Sequence, residues 1–107
     1  MLRILDDIVD MVARVHALAR RIARNDRDLA RQITRASTSV GLNAAEGLCG
    51  RGGTRTARLA DAMGSGRETM MALRIAGACG YLVRADVVAE VDALDRIVAT
   101  LFKLSRR

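Results

Sequence analysis

Apolar residues recur along this chain at alternating steps of three and four, the spacing that lines one face of an α-helix. From about residue 2 to 24, Leu5, Ile8, Val12, Val15, Ala19 and Ile22 make such a stripe, with Ile4, Met11 and Leu18 on one flank and Val9 and His16 on the other. Arg3, Asp6, Asp7, Asp10, Arg14, Arg20, Arg21 and Arg24 fill the remaining arc, so the first predicted helix has a broad apolar face. A second helix is predicted over 27–48, with Leu29, Ile33, Ala36, Val40, Asn43 and Gly47 on one face. A third covers 54–80, where Leu59, Met63, Gly66, Met70, Leu73, Gly77 and Gly80 align and Met71, Ile75, Ala78 and Leu82 form a second stripe beside them. The fourth covers 86–104 and carries Val87, Val91, Leu94, Val98 and Leu101, widened by Ile97, Phe102 and Leu104. Four amphipathic helices with short connections predict an all-α, antiparallel up-down-up-down four-helix bundle, one domain over residues 1–107.

The punctuation sharpens the pattern. Asn25-Asp26 is a turn whose side chains can cap the second helix, and Asp28 suits its first turn. Thr54 is the expected N-cap of the third helix, and Gly80 its expected terminator. Gly41 inside the second helix costs about 1 kcal/mol against alanine and calls for a close helix approach or a bend. Gly64-Ser65-Gly66 is the weakest helical spot, where a kink is expected. The wide apolar arc in the second half of the third helix predicts burial on two sides, one of them against another subunit. Met63, Met70 and Met71 read as core filling rather than as an adaptable binding surface.

Composition narrows the chemistry. Half of the 107 residues are hydrophobic, proline is absent and aromatics are 2%, so the core is built from Val, Ile, Leu, Met and Ala. Cys49 and Cys79 form neither a metal framework nor a disulfide scaffold, and are expected as small buried groups in a reducing cytoplasm. Asp6, Asp7 and Asp10 stand where a secretory signal would need apolar residues, and no apolar run approaches the roughly 18 residues of a membrane span. Gly50-Arg51-Gly52-Gly53 lacks the Gly-Lys-Ser/Thr ending of a phosphate loop. His16 is the single histidine, sits at the edge of a core stripe and has no nucleophile placed for it, so neither catalytic site nor cofactor is implied.

Charge points outward. The net charge is +6, and Lys103 is the only lysine, so nearly all the positive charge is arginine, whose planar fork matches phosphate and carboxylate. Arg20, Arg21, Arg24, Arg27, Arg31 and Arg35 gather about the first turn and along the second helix, while Arg51, Arg55 and Arg58 lie at the other end of the bundle. These are the candidate nucleic-acid contacts, for RNA or DNA. With no Trp, one Tyr and one Phe, binding would be led by phosphate and sensitive to salt rather than built on base stacking. The competing readings are helix-dipole complementarity for Arg20, Arg21 and Arg24, salt bridges on solvated faces, and the codon bias of a GC-rich genome.

The densest stretch carries a resemblance. Gln32-Ile33-Thr34-Arg35-Ala36-Ser37, Ser39-Val40 and Asn43-Ala44-Ala45-Glu46-Gly47, with Ala62-Met63-Gly64-Ser65, Glu68 and Gly80-Tyr81-Leu82, resemble the bacterial four-helix-bundle proteins first noted as products of intervening sequences in large-subunit ribosomal RNA genes. The accessory protein of diversity-generating retroelements is a relative of that family. The resemblance implies a ring, typically a homopentamer, and, by the retroelement relatives, a basic bundle that binds nucleic acid and a reverse transcriptase. Two positions depart from the family pattern. Gly41 stands where proline is usual, and Arg55 and Arg58 stand near the start of the third helix where aromatics are usual. Asn43, Glu46, Gly47 and Glu68 are the structural motif residues. Asn43 and Glu46 are expected to form a buried network linking helices, not an active pair. The functional expectation is a non-enzymatic oligomer that binds RNA or a nucleoprotein. The alternative is a protein–protein scaffold that makes no nucleic-acid contact.

Overall fold

The computed structural model describes residues 2–107, and among them it shows four helices: α1 (Leu2–Ile22), α2 (Arg27–Cys49), α3 (Gly52–Ala78) and α4 (Arg84–Ser105). They run up, down, up and down in a body of 43 × 22 × 18 Å. Each helix packs on its chain neighbours. The α2–α3 seam is the most extensive, and the α1–α4 seam that closes the bundle is the slightest.

The apolar stripes meet at the centre. Ile8, Met11, Val15 and Ile22 of α1, Ile33 and Val40 of α2, Leu59 and Leu73 of α3, and Leu94 and Leu101 of α4 are fully buried. On α1 the buried face is rotated toward Ile4, Met11 and Leu18, which leaves Val9 on the other flank 64% exposed. On α3 the second stripe is exposed at Met71, Ile75 and Ala78, and only Leu82 of that set is buried. Met63 fills the core and Met70 is partly buried, whereas Met71 is 52% exposed, so core filling does not describe all three methionines. Phe102 likewise lies outside the stripe it was expected to widen. Cys49 and Cys79 are both exposed, contrary to the burial expected of small thiols. Each sits at the end of a helix, beyond the last core layer.

The helix ends follow local chemistry. α1 stops at Ile22, and Ala23–Asn25 form the turn, two residues earlier than the pattern suggested. Asp26 caps α2, accepting from the Leu29 amide at 2.9 Å. Thr54 caps nothing: α3 begins at Gly52, whose φ of 56° only glycine adopts freely, and its N-cap Arg51 makes no side-chain cap bond. α3 ends at Ala78, and Gly80 (φ 80°) closes it, with the Tyr81 amide donating to Ala76 O at 2.9 Å and the Gly80 amide to Gly77 O at 3.1 Å. That bond pair is the Schellman arrangement. α4 starts at Arg84 and also lacks a side-chain cap.

Glycines mark where helices come closest. A Cβ at Gly47 would lie 2.8 Å from Cγ and Cδ2 of Leu59, and one at Gly66 would lie 2.9 Å from Val98 Cγ2. α3 continues as one helix through Gly64-Ser65-Gly66, where Gly66 admits Val98 of α4 and Gly64 faces open space. Gly41 lacks the expected close approach. Its nearest neighbour, Ile8 Cγ2, is at an ordinary 3.5 Å.

Candidate nucleic-acid interface

The arginines divide by their partners. Arg21 Nη1 donates to Asp86 Oδ2 at 2.9 Å and ties α1 to α4. Arg31 pairs with Asp28, one turn earlier on α2. Arg58 Nε lies 3.1 Å from Glu46 Oε2, and its Nη1 lies 3.8 Å from Asp61 Oδ2. Arg55 is half-buried and donates to the carbonyls of Leu48 (3.5 Å) and Leu104 (3.1 Å), which belong to the last turns of α2 and α4. A guanidinium there satisfies orphan carbonyls and faces two negative helix ends, so Arg55 is a structural clamp and not a free phosphate contact. The structure thus commits Arg21, Arg31, Arg55 and Arg58 to intramolecular partners. Arg20, Arg24, Arg27, Arg35 and Arg51 are exposed or half-exposed and have no carboxylate partner among the described residues.

Three of those unpaired arginines share one feature. A shallow groove of about 940 Å³ runs along α1 and the outer face of α2. Its floor is Ala19, Ala23, Ala30, Thr34, Thr38 and Leu42, its rim carries Arg20, Arg27, Arg31 and Arg35, and Asn43 and Glu46 stand at its far end. His16 Nε2 and Thr38 Oγ1, 3.0 Å apart, hold the two helices together beneath it. Arg24 lies at the turn, and Arg51 lies beside the bare N-terminus of α3, which has neither a side-chain acceptor nor an acid in its first turn.

The motif residues build the α2–α3 seam. Asn43 Nδ2 donates to Ser39 O (3.1 Å) and Ser39 Oγ (2.9 Å), and Ser65 Oγ of α3 donates to the same Ser39 Oγ at 2.9 Å. Asn43 is only half-buried, and it reaches α3 through Ser39. Glu46 is exposed and joins α3 on its own through Arg58, so the two residues do not form one buried network. Their positions explain this: Asn43 borders the core stripe of α2, while Glu46 is turned toward the solvent edge. Gly47 is buried against Leu59. Glu68 is exposed, without an ion pair among the described residues.

One polar pair was not anticipated. Arg14 Nε donates to Glu90 Oε2 at 2.7 Å across the α1–α4 seam, with side chains 49% and 9% exposed. The other oxygen, Oε1, is buried with no hydrogen-bond partner. The hydrogen bond to Glu90, opposed by desolvation, raises the Arg14 pKa further above its ordinary value. Glu90 lies three residues after Val87 and four before Leu94, on the stripe itself, and that spacing was the available signal. Beside the pair opens a polar cleft of about 450 Å³ lined by Asp7, Asp10, Arg14, Arg96 and Thr100 over Ile4 and Ile97.

No group of three or more His, Cys, Asp or Glu able to hold a metal ion occurs among the described residues, and no described helix is long and apolar enough to cross a membrane. The family model of the 23S rRNA-intervening sequence protein matches residues 1–103. The chain belongs to that family. The intervening-sequence fold also appears in a solved structure, a protein of unknown function from the S23 ribosomal protein family of Bacteroides thetaiotaomicron. It superposes with a TM-score of 0.88 over 97% of this chain and 99% of that one, at 19% sequence identity. A likeness at that identity establishes the shared four-helix fold. No curated protein matches the sequence.

Proposed function

We propose that this intervening-sequence family member is a non-enzymatic, self-associating basic module of the cytoplasm. Its ligand is nucleic acid, RNA first, or a nucleoprotein such as one built on a reverse transcriptase. The observation that carries the reading is the set of solvent-accessible arginines without carboxylate partners around the α1–α2 turn: Arg20, Arg24, Arg27 and Arg35. A guanidinium already held by a carboxylate contributes little to phosphate binding, whereas a solvated one releases counterions when it neutralises a phosphate. The bare N-terminus of α3 beside Arg51 adds amide donors of the same preference. Exposed Val9, Leu42, Met71, Ile75, Val83, Val88 and Phe102 support self-association, since large apolar side chains on both sides of a small bundle favour a partner surface.

The test is fluorescence anisotropy with a structured RNA and a duplex DNA over a salt series. Affinity should fall steeply as salt rises. Arg24→Ala/Arg27→Ala should lower the log–log salt slope by about two, roughly one for each phosphate that is no longer neutralised. Binding that is absent at low salt, or a slope unchanged in the variant, overturns the reading. The apolar floor of the α1–α2 groove favours a second reading, a protein–protein module, in which an acidic protein binds and RNA does not.

A further inference from the structure

The α1–α2 groove and the outer face of α4 are complementary in both shape class and charge. The groove has an alanine floor, a single large apolar residue, Leu42, that is 63% exposed, and a rim that includes Arg31 and Arg35. On α4, Val88, Asp92, Asp95, Ala99 and Phe102 recur at steps of four, three, four and three, and all five are exposed. They therefore form one ridge, apolar at both ends and acidic in the middle. Asp92, Asp95 and Arg35 have no ion pair among the described residues, and Arg31 is held only by its exposed pair with Asp28 on the same helix, which a carboxylate of a second copy can replace. The lengths agree as well. From Val88 to Phe102 the ridge spans about 21 Å of helix, and from Arg27 to Glu46 the groove runs along about 28 Å of α2.

We infer that the groove of one copy receives the α4 ridge of a second copy, Leu42 packing among Val88, Ala99 and Phe102 while Arg31 and Arg35 meet Asp92 and Asp95. This rests on the self-association proposed above and supplies its partner surfaces. The occupant follows from charge complementarity. The ridge is an exposed amphipathic helix face that brings apolar side chains to the groove floor and unpaired carboxylates to the guanidiniums of the rim. The two surfaces are different parts of the chain, one on the α1–α2 pair and the other on α4. The contact is thus heterologous: each copy offers a groove to one neighbour and a ridge to another, and the assembly grows until it closes or extends. Of the arginines assigned to phosphate only Arg35 is drawn into these pairs; Arg20, Arg24, Arg27 and Arg51 take no part in them.

The test is size exclusion with light scattering on the full chain, without nucleic acid. The wild type should elute as a multiple of 11.6 kDa. Arg31→Glu/Arg35→Glu, Asp92→Arg/Asp95→Arg and Leu42→Asp should each fall to the mass of one chain with the helical circular dichroism of the wild type, since none of these side chains is buried. Combining the two charge reversals in one chain should restore the wild-type mass. A monomeric wild type sinks self-association itself. An assembled wild type that both charge reversals leave intact sinks this pairing alone. An assembly broken by Asp6→Lys/Asp10→Lys but not by Asp92→Arg/Asp95→Arg also overturns it, by pointing to α1 faces paired about a two-fold. RNA affinity retained by the monomeric Asp92→Arg/Asp95→Arg variant keeps the nucleic-acid reading separate from this result.

Discussion

Where α2 meets α3, the bundle has been shaved down. Gly47 admits Leu59, and Ser39 and Ser65 join hydroxyls between the helices. Where α1 meets α4, nothing has been shaved. A charged pair, Arg14–Glu90, stands in the seam, one carboxylate oxygen has no partner, and a polar cleft opens beside it. Both seams bury polar atoms, but they solve the problem differently. In the first, small residues bring the backbones together, and short hydroxyls find donors and acceptors within reach. In the second, long side chains span a wider gap and one acceptor is left over. The contrast teaches that the rigid half of this bundle is the α2–α3 pair, and that α1 and α4 hold to it and only loosely to each other.

The sharpest way to break the tight seam is one methyl group. Gly47→Ala places a Cβ 2.8 Å from two carbons of Leu59 and 3.1 Å from its backbone nitrogen, so the side chain cannot simply swing away. The expected loss is about 2–3 kcal/mol, as for an overpacked core. Urea denaturation should show a lower midpoint with an unchanged m-value. A midpoint equal to that of the wild type would mean that α2 and α3 can slide apart at no cost, and the seam would not be the rigid one.

The loose seam breaks by leaving a charge alone. Arg14→Ala strands Glu90, which is 9% exposed at its side chain. Breaking a fully buried pair costs roughly 3–5 kcal/mol, and Arg14 is half exposed, so about 2 kcal/mol is expected. Adding Glu90→Leu to Arg14→Ala should recover most of that loss, because it replaces an under-satisfied carboxylate with an apolar residue at a core position. A double variant no more stable than Arg14→Ala would show that the pair specifies the seam rather than being tolerated there.

The two seams also differ in how far the chain alone reveals them. The four helices and their order are legible because Leu, Ile, Val and Met recur at helical steps, and burial of a stripe is a first-order demand. The tight seam is legible only as a run of small residues: the pattern points to Gly41 for a close approach and to a kink at Gly64-Ser65-Gly66, whereas the close contacts fall at Gly47, against Leu59 of α3, and at Gly66, against Val98 of α4. Ends and flanks are not legible. Thr54 looks like a cap, yet Gly52 can adopt a positive φ and start the helix earlier. Cys49 and Met71 are apolar by type, but their exposure depends on where the neighbouring helices stop. The candidate interface was legible as a collection of arginines and not as a surface. Arg55 and Arg35 look alike in the sequence. That one clamps two helix C-termini and the other stands free at a groove rim depends on contacts 49 residues apart in the chain. Glu90 was hidden for a similar reason: an acid near a helix start is explained equally well by the dipole.

A third substitution separates glycines that permit contact from glycines that merely occupy a helix. A Cβ at Gly41 would find only Ile8 Cγ2 at 3.5 Å, an ordinary contact. Gly41→Ala should therefore stabilise the chain by about 1 kcal/mol through helix propensity, opposite in sign to Gly47→Ala six residues on. Thermal melts of the two variants side by side give the sign directly. A destabilised Gly41→Ala would reveal a tighter α1–α2 approach than the 3.5 Å contact allows for.

The smallest effect is expected where the motif looks most important. Glu46 belongs to the Asn-Ala-Ala-Glu-Gly run, but it is exposed, and its pairing with Arg58 is a surface ion pair, the Arg58 and Glu46 side chains being 47% and 59% exposed. Such pairs contribute about 0.5 kcal/mol or less, and they weaken with salt. Glu46→Ala should leave the urea midpoint almost unchanged, and what difference remains should vanish in about 0.5 M salt. Asn43→Leu should cost more, about 1 kcal/mol, because Asn43 donates twice to Ser39, the residue that accepts from Ser65. Equal losses in the two variants, persisting at high salt, would place Glu46 inside the seam with Asn43 and remove the distinction between a residue that builds the α2–α3 contact and one that decorates its edge. A Glu46→Ala chain that folds normally but assembles differently would assign the carboxylate to the far end of the α1–α2 groove, where it also stands.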